Sequence, residues 1–133
     1  MLIALLIIAG IVRDIIVHIQ RRQLLRPFWE RGCMGVRWRR RFPASPKTAM
    51  REFLSTVVDA FLFHQTKRCR FSPDDRVMDI YRALYPPGSV ADSLELETLA
   101  LGLAKRYRID VRALWREDIT LGELYEHTRE RAA

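Results

Sequence analysis

The sequence predicts an all-α protein: a small four-helix bundle, preceded by an apolar helix at the N-terminus. Three observations support this fold class. Apolar residues recur with helical spacing in residues 47–65 and again in residues 93–106. No segment shows the apolar–polar alternation of a half-buried strand. Residues 1–12 contain no charged side chain at all.

Residues 1–20 are predicted to form a membrane-anchoring helix. Residues 1–12 alone would extend about 18 Å, which is short of the roughly 30 Å hydrocarbon core of a bilayer. The apolar residues that continue to Ile19 supply the missing length, and Arg13 and Asp14 lie where snorkelling relieves their burial. Two alternatives remain open: an amphipathic helix on a surface, or upstream sequence read from a start codon chosen too early.

Residues 21–46 are predicted to be a basic juxtamembrane linker that ends at Pro43 and Pro46. Residues 1–50 contain ten Lys and Arg against two acids, whereas residues 51–133 contain thirteen against fourteen. Positive charge behind an apolar span indicates the cytoplasmic side of a membrane. The protein is therefore expected at the cytoplasmic membrane with its domain facing the cytoplasm, or in the cytoplasm if the N-terminus is a start-site artefact.

Arginines and aromatic residues are interleaved in residues 35–42. This composition suits either anionic lipid or nucleic acid. Its position directly behind the apolar run favours lipid. Membrane lipids are thus expected as partners of residues 1–41, and nucleic acid is not.

Residues 47–133 are predicted to form the helical domain. Its first helix covers residues 47–65, where the following apolar residues recur at helical spacing: Met50, Phe53, Leu54, Val57, Val58, Phe61 and Leu62. The cap-and-proline pair Ser72-Pro73 predicts the start of a shorter second helix, with an apolar face in residues 77–84. A last helix is expected to begin at a Thr120 cap.

The helix predicted over residues 93–106 begins in the sequence Asp92-Ser93-Leu94-Glu95. Asp92 is placed to cap this helix and Glu95 to complete a capping box, so capping alone already explains these residues. The predicted core stripe consists of Leu96, Leu99, Ala100, Leu103 and Tyr107. Leu94 and Leu101 fall on the opposite polar face, either as a docking surface or as ordinary exposed leucines.

Catalysis and metal binding are not expected. His18, His64 and His127 are too scattered for a metal site or a catalytic triad, and neither a glycine-rich phosphate loop nor a Gly-x-Ser-x-Gly elbow is present. Cys33 and Cys69 form no disulfide framework and lack zinc-site spacing, which indicates a reducing compartment. The protein is therefore predicted not to be an enzyme.

Two stretches resemble the acyl carrier protein family. Residues 91–99 read Ala-Asp-Ser-Leu-Glu-Leu-Glu-Thr-Leu, and residues 103–111 read Leu-Ala-Lys-Arg-Tyr-Arg-Ile-Asp-Val. In that family an Asp-Ser-Leu motif opens the second long helix, and an aromatic residue followed by an Ile-x-Ile/Val pattern ends it. Residues 118–124 look like the start of the family's last helix. The resemblance covers about residues 48–130 and implies a bundle of acyl-carrier type.

The resemblance also implies a function. Ser93 would receive 4′-phosphopantetheine from coenzyme A through a phosphopantetheinyl transferase, with Asp92 as part of the motif. The thiol of that arm would carry acyl or related groups between acyl-transferring or synthase enzymes, in lipid or secondary-metabolite biosynthesis. The surface that meets these enzymes would include Leu94, Glu95, Glu97 and Leu101.

Departures from the family pattern leave a second function open. Val90 stands where the family usually has glycine two residues before the aspartate. The recognition helix ends in Lys105-Arg106, whereas the family's is strongly acidic. Most members of the acyl carrier protein family lack a membrane-anchoring N-terminus. The alternative is a membrane-tethered, carrier-like interaction module without the prosthetic group.

Overall fold

A computed structural model describes residues 1–87, 89 and 93–132 of the chain. Over these residues the protein is helical and contains no β-strand, apart from one isolated bridge between Arg76 and Thr120. The all-α prediction and the N-terminal apolar helix are therefore confirmed. The elements are α1 (Leu2–Glu30), α2 (Gly35–Arg41), α3 (Lys47–Ala60), a 3₁₀ helix (Gln65–Arg70), α4 (Val77–Leu84), α5 (Leu94–Tyr107), α6 (Val111–Leu114) and α7 (Leu121–Ala132).

The helix α1 extends ten residues beyond the predicted anchor at residues 1–20, and its two halves differ. The apolar side chains of residues 2–19 are largely exposed. By length and composition α1 is able to cross a membrane, and a signal sequence shares these properties. The second half is docked on the domain: it packs against α4 and the 3₁₀ helix, and Leu25 is buried there.

Aromatic and polar contacts hold the end of α1. The Trp29 ring meets Phe63 edge-on at 5.0 Å and Phe71 at 5.6 Å between ring centroids. Just beyond the helix, the Arg31 guanidinium forms an ion pair with Asp75, in which Nη1 donates to Oδ1 at 3.0 Å. The exposed apolar segment therefore continues into the domain as one helix, without an intervening linker at residue 21.

Two side chains of residues 21–46, the predicted linker, belong to the core. Trp38 and Phe42 are 2% and 3% exposed. The Trp38 indole Nε1 donates a hydrogen bond to the carbonyl oxygen of Phe71 at 2.8 Å, and its ring meets Tyr125 edge-on. Residues four apart share one face of a helix, so α2 turns these two rings inward and its arginines outward. A count of charges along the sequence does not show that the rings of this segment are buried while its arginines are exposed. The interpretation of residues 21–46 as a linker is therefore corrected.

The core lies between α3, α5 and α7, with Phe53, Val57, Leu99, Leu103 and Leu124 fully buried. α5 packs against α3, α6 and α7, so it is the central helix of the domain. The helices α5 and α7 occupy the predicted places, and α4 covers the predicted apolar face at residues 77–84. At the start of α7, Thr120 Oγ1 accepts a hydrogen bond from the backbone N–H of Glu123 at 3.2 Å, which confirms the predicted cap.

The helix α3 ends earlier than predicted, at Ala60 rather than near residue 65. Leu62 has a left-handed backbone (φ 59°). The N–H of Phe63 bonds to the carbonyl oxygen of Val58, and the N–H of Leu62 bonds to that of Asp59. This pattern is a Schellman cap. Leu62 is therefore 83% exposed, and its predicted place on the apolar face of the first domain helix is wrong.

The turn at residues 72–75 is bonded to α7 and does not cap α4. Ser72 Oγ accepts from the N–H of Asp74, and the Pro73 carbonyl oxygen accepts from the N–H of Gly122 at 2.9 Å. A Cβ at residue 122 would lie 2.8 Å from that same carbonyl oxygen, so only glycine allows this approach. α4 begins instead with Arg76 as its N-cap residue.

Candidate functional site at the start of α5

Ser93 is the N-cap residue of α5 and is exposed. Its backbone is left-handed, with φ 62° and ψ 9°, a conformation that costs a residue other than glycine on the order of 1–3 kcal/mol. Its side chain makes no capping hydrogen bond. The hydroxyl is thus presented at the helix start by a strained backbone, and the helix does not use it as a cap.

Two tyrosines at the end of α4 hold the start of α5. The backbone N–H of Ser93 donates to the Tyr81 hydroxyl at 3.2 Å, and the Tyr85 hydroxyl donates to the Glu95 carboxylate. The two rings lie 5.0 Å apart between centroids. On the other side, the Ser93 carbonyl oxygen accepts from the N–H of Glu97 at 3.0 Å. The apolar face predicted for residues 77–84 did not indicate these polar contacts.

Asp92, predicted as the cap of α5 and as part of the attachment motif, lies outside the described residues. The same holds for Val90. Of the predicted motif, the structure therefore describes the part that begins at Ser93.

Glu95 is not part of an exposed acidic surface. It is 8% exposed, and its carboxylate faces Tyr85. With Ser93 as the N-cap, Glu95 is the second helical residue rather than the third, so it is not placed for the predicted capping box. Its Oε2 atom has no hydrogen-bond partner among the described residues. This burial leaves little of the Glu95 carboxylate for a partner enzyme, and the contact itself stays a prediction.

The remaining predicted contact residues lie on the surface. Leu94 is 55% exposed and Leu101 is 71% exposed, and Glu97 is exposed on the same helix. The predicted separation of these leucines from the core stripe is thus confirmed.

An open groove of about 940 Å³ runs along α5, and α6 and Trp115 form its opposite wall. It starts at Leu96, one turn after Ser93, and continues past Ala100 to Arg108. Leu96 and Ala100, predicted as core, are half-buried because they form the wall of this groove. The sequence analysis missed the groove, since helical spacing does not show where α6 and Trp115 lie.

The helix dipole of α5 favours an anion at Ser93, although the first turn also contains the acidic residues Glu95 and Glu97. α5 has 14 residues, and its aligned peptide dipoles place partial positive charge at Ser93 and the first turn. Negatively charged groups, phosphates among them, are stabilised at such a position. An exposed hydroxyl at this place is therefore suited to carry a phosphodiester.

Comparison of the chain with protein-family models, with curated proteins and with solved structures gave no match. The resemblance to carrier proteins therefore depends on the quoted residues and on the geometry described above.

Replacing Tyr81 with phenylalanine is expected to loosen the start of α5. The variant removes the acceptor of the Ser93 N–H, at a cost of about 1 kcal/mol in the free energy of unfolding. Amide hydrogen exchange at residue 93, measured by NMR, should become faster. Tyr125→Phe is the matched control, because its hydroxyl donates to Ser45 at 3.0 Å in another part of the domain. Equal exchange at residue 93 in both variants would show that Tyr81 does not hold Ser93.

Proposed function

We propose that this protein is a carrier protein and not an enzyme: Ser93 bears 4′-phosphopantetheine and carries acyl or related groups as thioesters between partner enzymes. One observation carries the proposal. Ser93 is an exposed serine at the start of a long helix, its backbone is left-handed, and its hydroxyl makes no capping bond. A serine retained for capping would accept a hydrogen bond from the N–H of the second or third helical residue.

The fold supports the proposal at the level of element order. α3, α5, α6 and α7 would form the four-helix bundle of acyl-carrier type, with the attachment serine at the start of the central helix α5. α4 is then an additional helix in the connection from α3 to α5. Its Tyr81 and Tyr85 hydroxyls form hydrogen bonds with Ser93 and Glu95 at the start of α5.

The groove along α5 supports a carrier role in a second way. Most of its wall is apolar, formed by residues such as Met78, Leu96, Leu99, Ala100 and Trp115. An apolar group attached through an arm at Ser93 would reach this wall one turn along the helix. Burial of its apolar surface would stabilise the bound state by roughly 25 cal/mol per Å². The same burial would protect a carried acyl group from water.

The docking of α1 suggests where the carrier works. We take α1 to anchor the protein in the cytoplasmic membrane, with the domain on the cytoplasmic side. Arg21 follows the apolar segment and donates from Nε to the carbonyl oxygen of Leu84 at 2.7 Å. Its guanidinium carbon lies 6.0 Å from the centre of the Tyr85 ring, which contacts Glu95. The start of α5 would therefore lie on the membrane-facing side, close to lipid-linked substrates and membrane-bound synthases.

Attachment of the arm is tested by mass spectrometry. The full chain is incubated with coenzyme A and a phosphopantetheinyl transferase of broad specificity, and we expect the mass of one arm on the wild type and none on Ser93→Ala. Ser89→Ala is the matched control: its hydroxyl already donates to the Pro86 carbonyl oxygen, and the variant should accept the arm. A wild-type chain that stays unmodified, or an arm that persists on Ser93→Ala, contradicts the proposal.

The exposure of Leu101 favours one alternative, a membrane-tethered interaction module without the arm. In that case the protein isolated from its own cell carries no added mass. It also binds a partner through the outer face of α5, and Leu101→Ser abolishes this binding. An arm on the native protein excludes the alternative.

A further inference from the structure

Cys33 and Cys69, the two cysteines of the chain, lie next to each other in the fold, although they are far apart in the sequence. The N–H of Met34 donates to the carbonyl oxygen of Cys69 at 2.6 Å, which brings the two backbones together. Cys33 and Cys69 line the same cavity of about 210 Å³. Both are free, Cys33 is exposed and Cys69 is half-buried.

The cavity that the cysteines share is cationic. Four basic residues line it, and no carboxylate does: Arg39, Lys47, Arg51 and Arg68. Its apolar wall consists of Trp38, Met50 and Leu54. A concave site with charges of one sign raises the local concentration of oppositely charged reagents and their association rates by about 10- to 1,000-fold. Anionic reagents are therefore expected to react with these thiols faster than cationic reagents do.

We propose that Cys33 and Cys69 form a redox-active dithiol site, which an anionic low-molecular-weight disulfide such as oxidised glutathione converts into an intramolecular disulfide. The proposal is independent of Ser93 and of the arm. It adds a site of covalent modification that shares no lining residue with the groove along α5.

The exchange proceeds in two displacements. The Cys33 thiol loses its proton, and its sulfur attacks one sulfur of the reagent; a mixed disulfide forms and one reagent thiolate leaves. The Cys69 thiol then loses its proton and attacks the Cys33 sulfur, and the second reagent thiolate leaves. The two cysteines together give up two protons and two electrons, and the electrons reduce the reagent to two thiolates.

The order of the two cysteines follows from their surroundings. Cys33 is exposed, so it meets the reagent first. Burial raises the pKa of the Cys69 thiol, and the neighbouring Cys33 side chain raises it further. Cys69 thus ionises less readily than an ordinary cysteine and is suited to act second, on a disulfide that is already next to it.

The product would fasten α1 to the domain. Cys33 follows the end of α1, and Cys69 lies in the 3₁₀ helix. These segments already contact each other, since Arg31 Nε donates to the Arg70 carbonyl oxygen at 2.6 Å. A covalent bond here removes the freedom of α1 to separate from the domain. Its role in holding a carrier at the membrane rests on the proposed function, whereas the thiol chemistry does not.

The test compares two disulfide reagents of opposite charge. The reduced full chain in detergent micelles is treated with oxidised glutathione, which is anionic, or with cystamine, which is cationic. Mass spectrometry should show the loss of two hydrogens, and the anionic reagent should react at least about tenfold faster. Cys69→Ser should stop at the mixed disulfide on Cys33. The same results are expected in Ser93→Ala, which separates this proposal from the carrier function.

Charge variants test the role of the cavity. Arg39→Gln with Arg51→Gln should reduce the preference for oxidised glutathione several-fold, and Arg40→Gln, outside the cavity, should leave it unchanged. Failure to form the intramolecular disulfide, or equal rates with both reagents in the wild type, would overturn the proposal.

Discussion

Replacing Trp38 with alanine is expected to lower the free energy of unfolding by about 3–5 kcal/mol. The ring is 2% exposed and contacts Phe42, Phe53 and Tyr125. Its indole N–H also satisfies the carbonyl oxygen of Phe71, which the variant leaves without that partner. Domains of this size are typically stable by about 5–15 kcal/mol, so the loss is a large part of the total. Urea denaturation followed by circular dichroism measures it.

Val36→Ala is the control for Trp38, since Val36 lies on the same helix and is 54% exposed. Its effect should stay within about 0.5 kcal/mol. If both variants unfold at the same urea concentration as the wild type, residues 21–46 are a linker as the sequence suggests. The outcome also decides where the domain begins: a chain that starts at residue 47 lacks Trp38 and Phe42 and should be unstable.

Two arginines in the apolar half of α1 are expected to abolish membrane association. Ile8 and Ile11 are 57% and 54% exposed and lie near the middle of residues 2–19. An arginine at the centre of a spanning helix costs about 2.5–3.5 kcal/mol. Ile8→Arg with Ile11→Arg should therefore weaken insertion by roughly four orders of magnitude. Flotation with vesicles of phosphatidylcholine and phosphatidylglycerol measures the bound fraction.

The matched control places two arginines at exposed apolar positions outside α1. Val36→Arg with Leu62→Arg adds the same charge, and this variant should float with the vesicles as the wild type does. Resistance to alkaline extraction distinguishes a spanning helix from an amphipathic helix on the surface. Wild-type protein that does not float, or an unchanged bound fraction for the Ile8 and Ile11 variant, would show that α1 is not the anchor.

The parts of the fold that sequence reasoning placed correctly depend on local physics. Helical spacing located α5 and separated the exposed Leu94 and Leu101 from the buried Leu99 and Leu103. Thr120 caps α7 as predicted, because a cap involves only neighbouring residues. Ser93 was identified as a candidate for the same reason, since a helix start is visible in a few consecutive residues.

The early end of α3 at Leu62 is a local cap, whereas the other main corrections concern residues that pack against a different helix. Glu95 looks like a surface acid within its own helix, yet Tyr85 from α4 covers it. Trp38 and Phe42 look like part of a basic tract, yet Phe53 and Tyr125 form a pocket for them. Burial of such side chains depends on which helix packs against them, and a local pattern does not contain that information.

The sequence by itself determined the helical class, the N-terminal apolar helix and Ser93 at the start of the central helix, because spacing, charge and caps act over a few residues. Only the tertiary structure decided that α1 is docked on the domain and that α5 borders a groove. It also brought Cys33 next to Cys69. These features arise where distant segments pack together, and packing is set by the shapes of whole faces rather than by any single stretch of the chain.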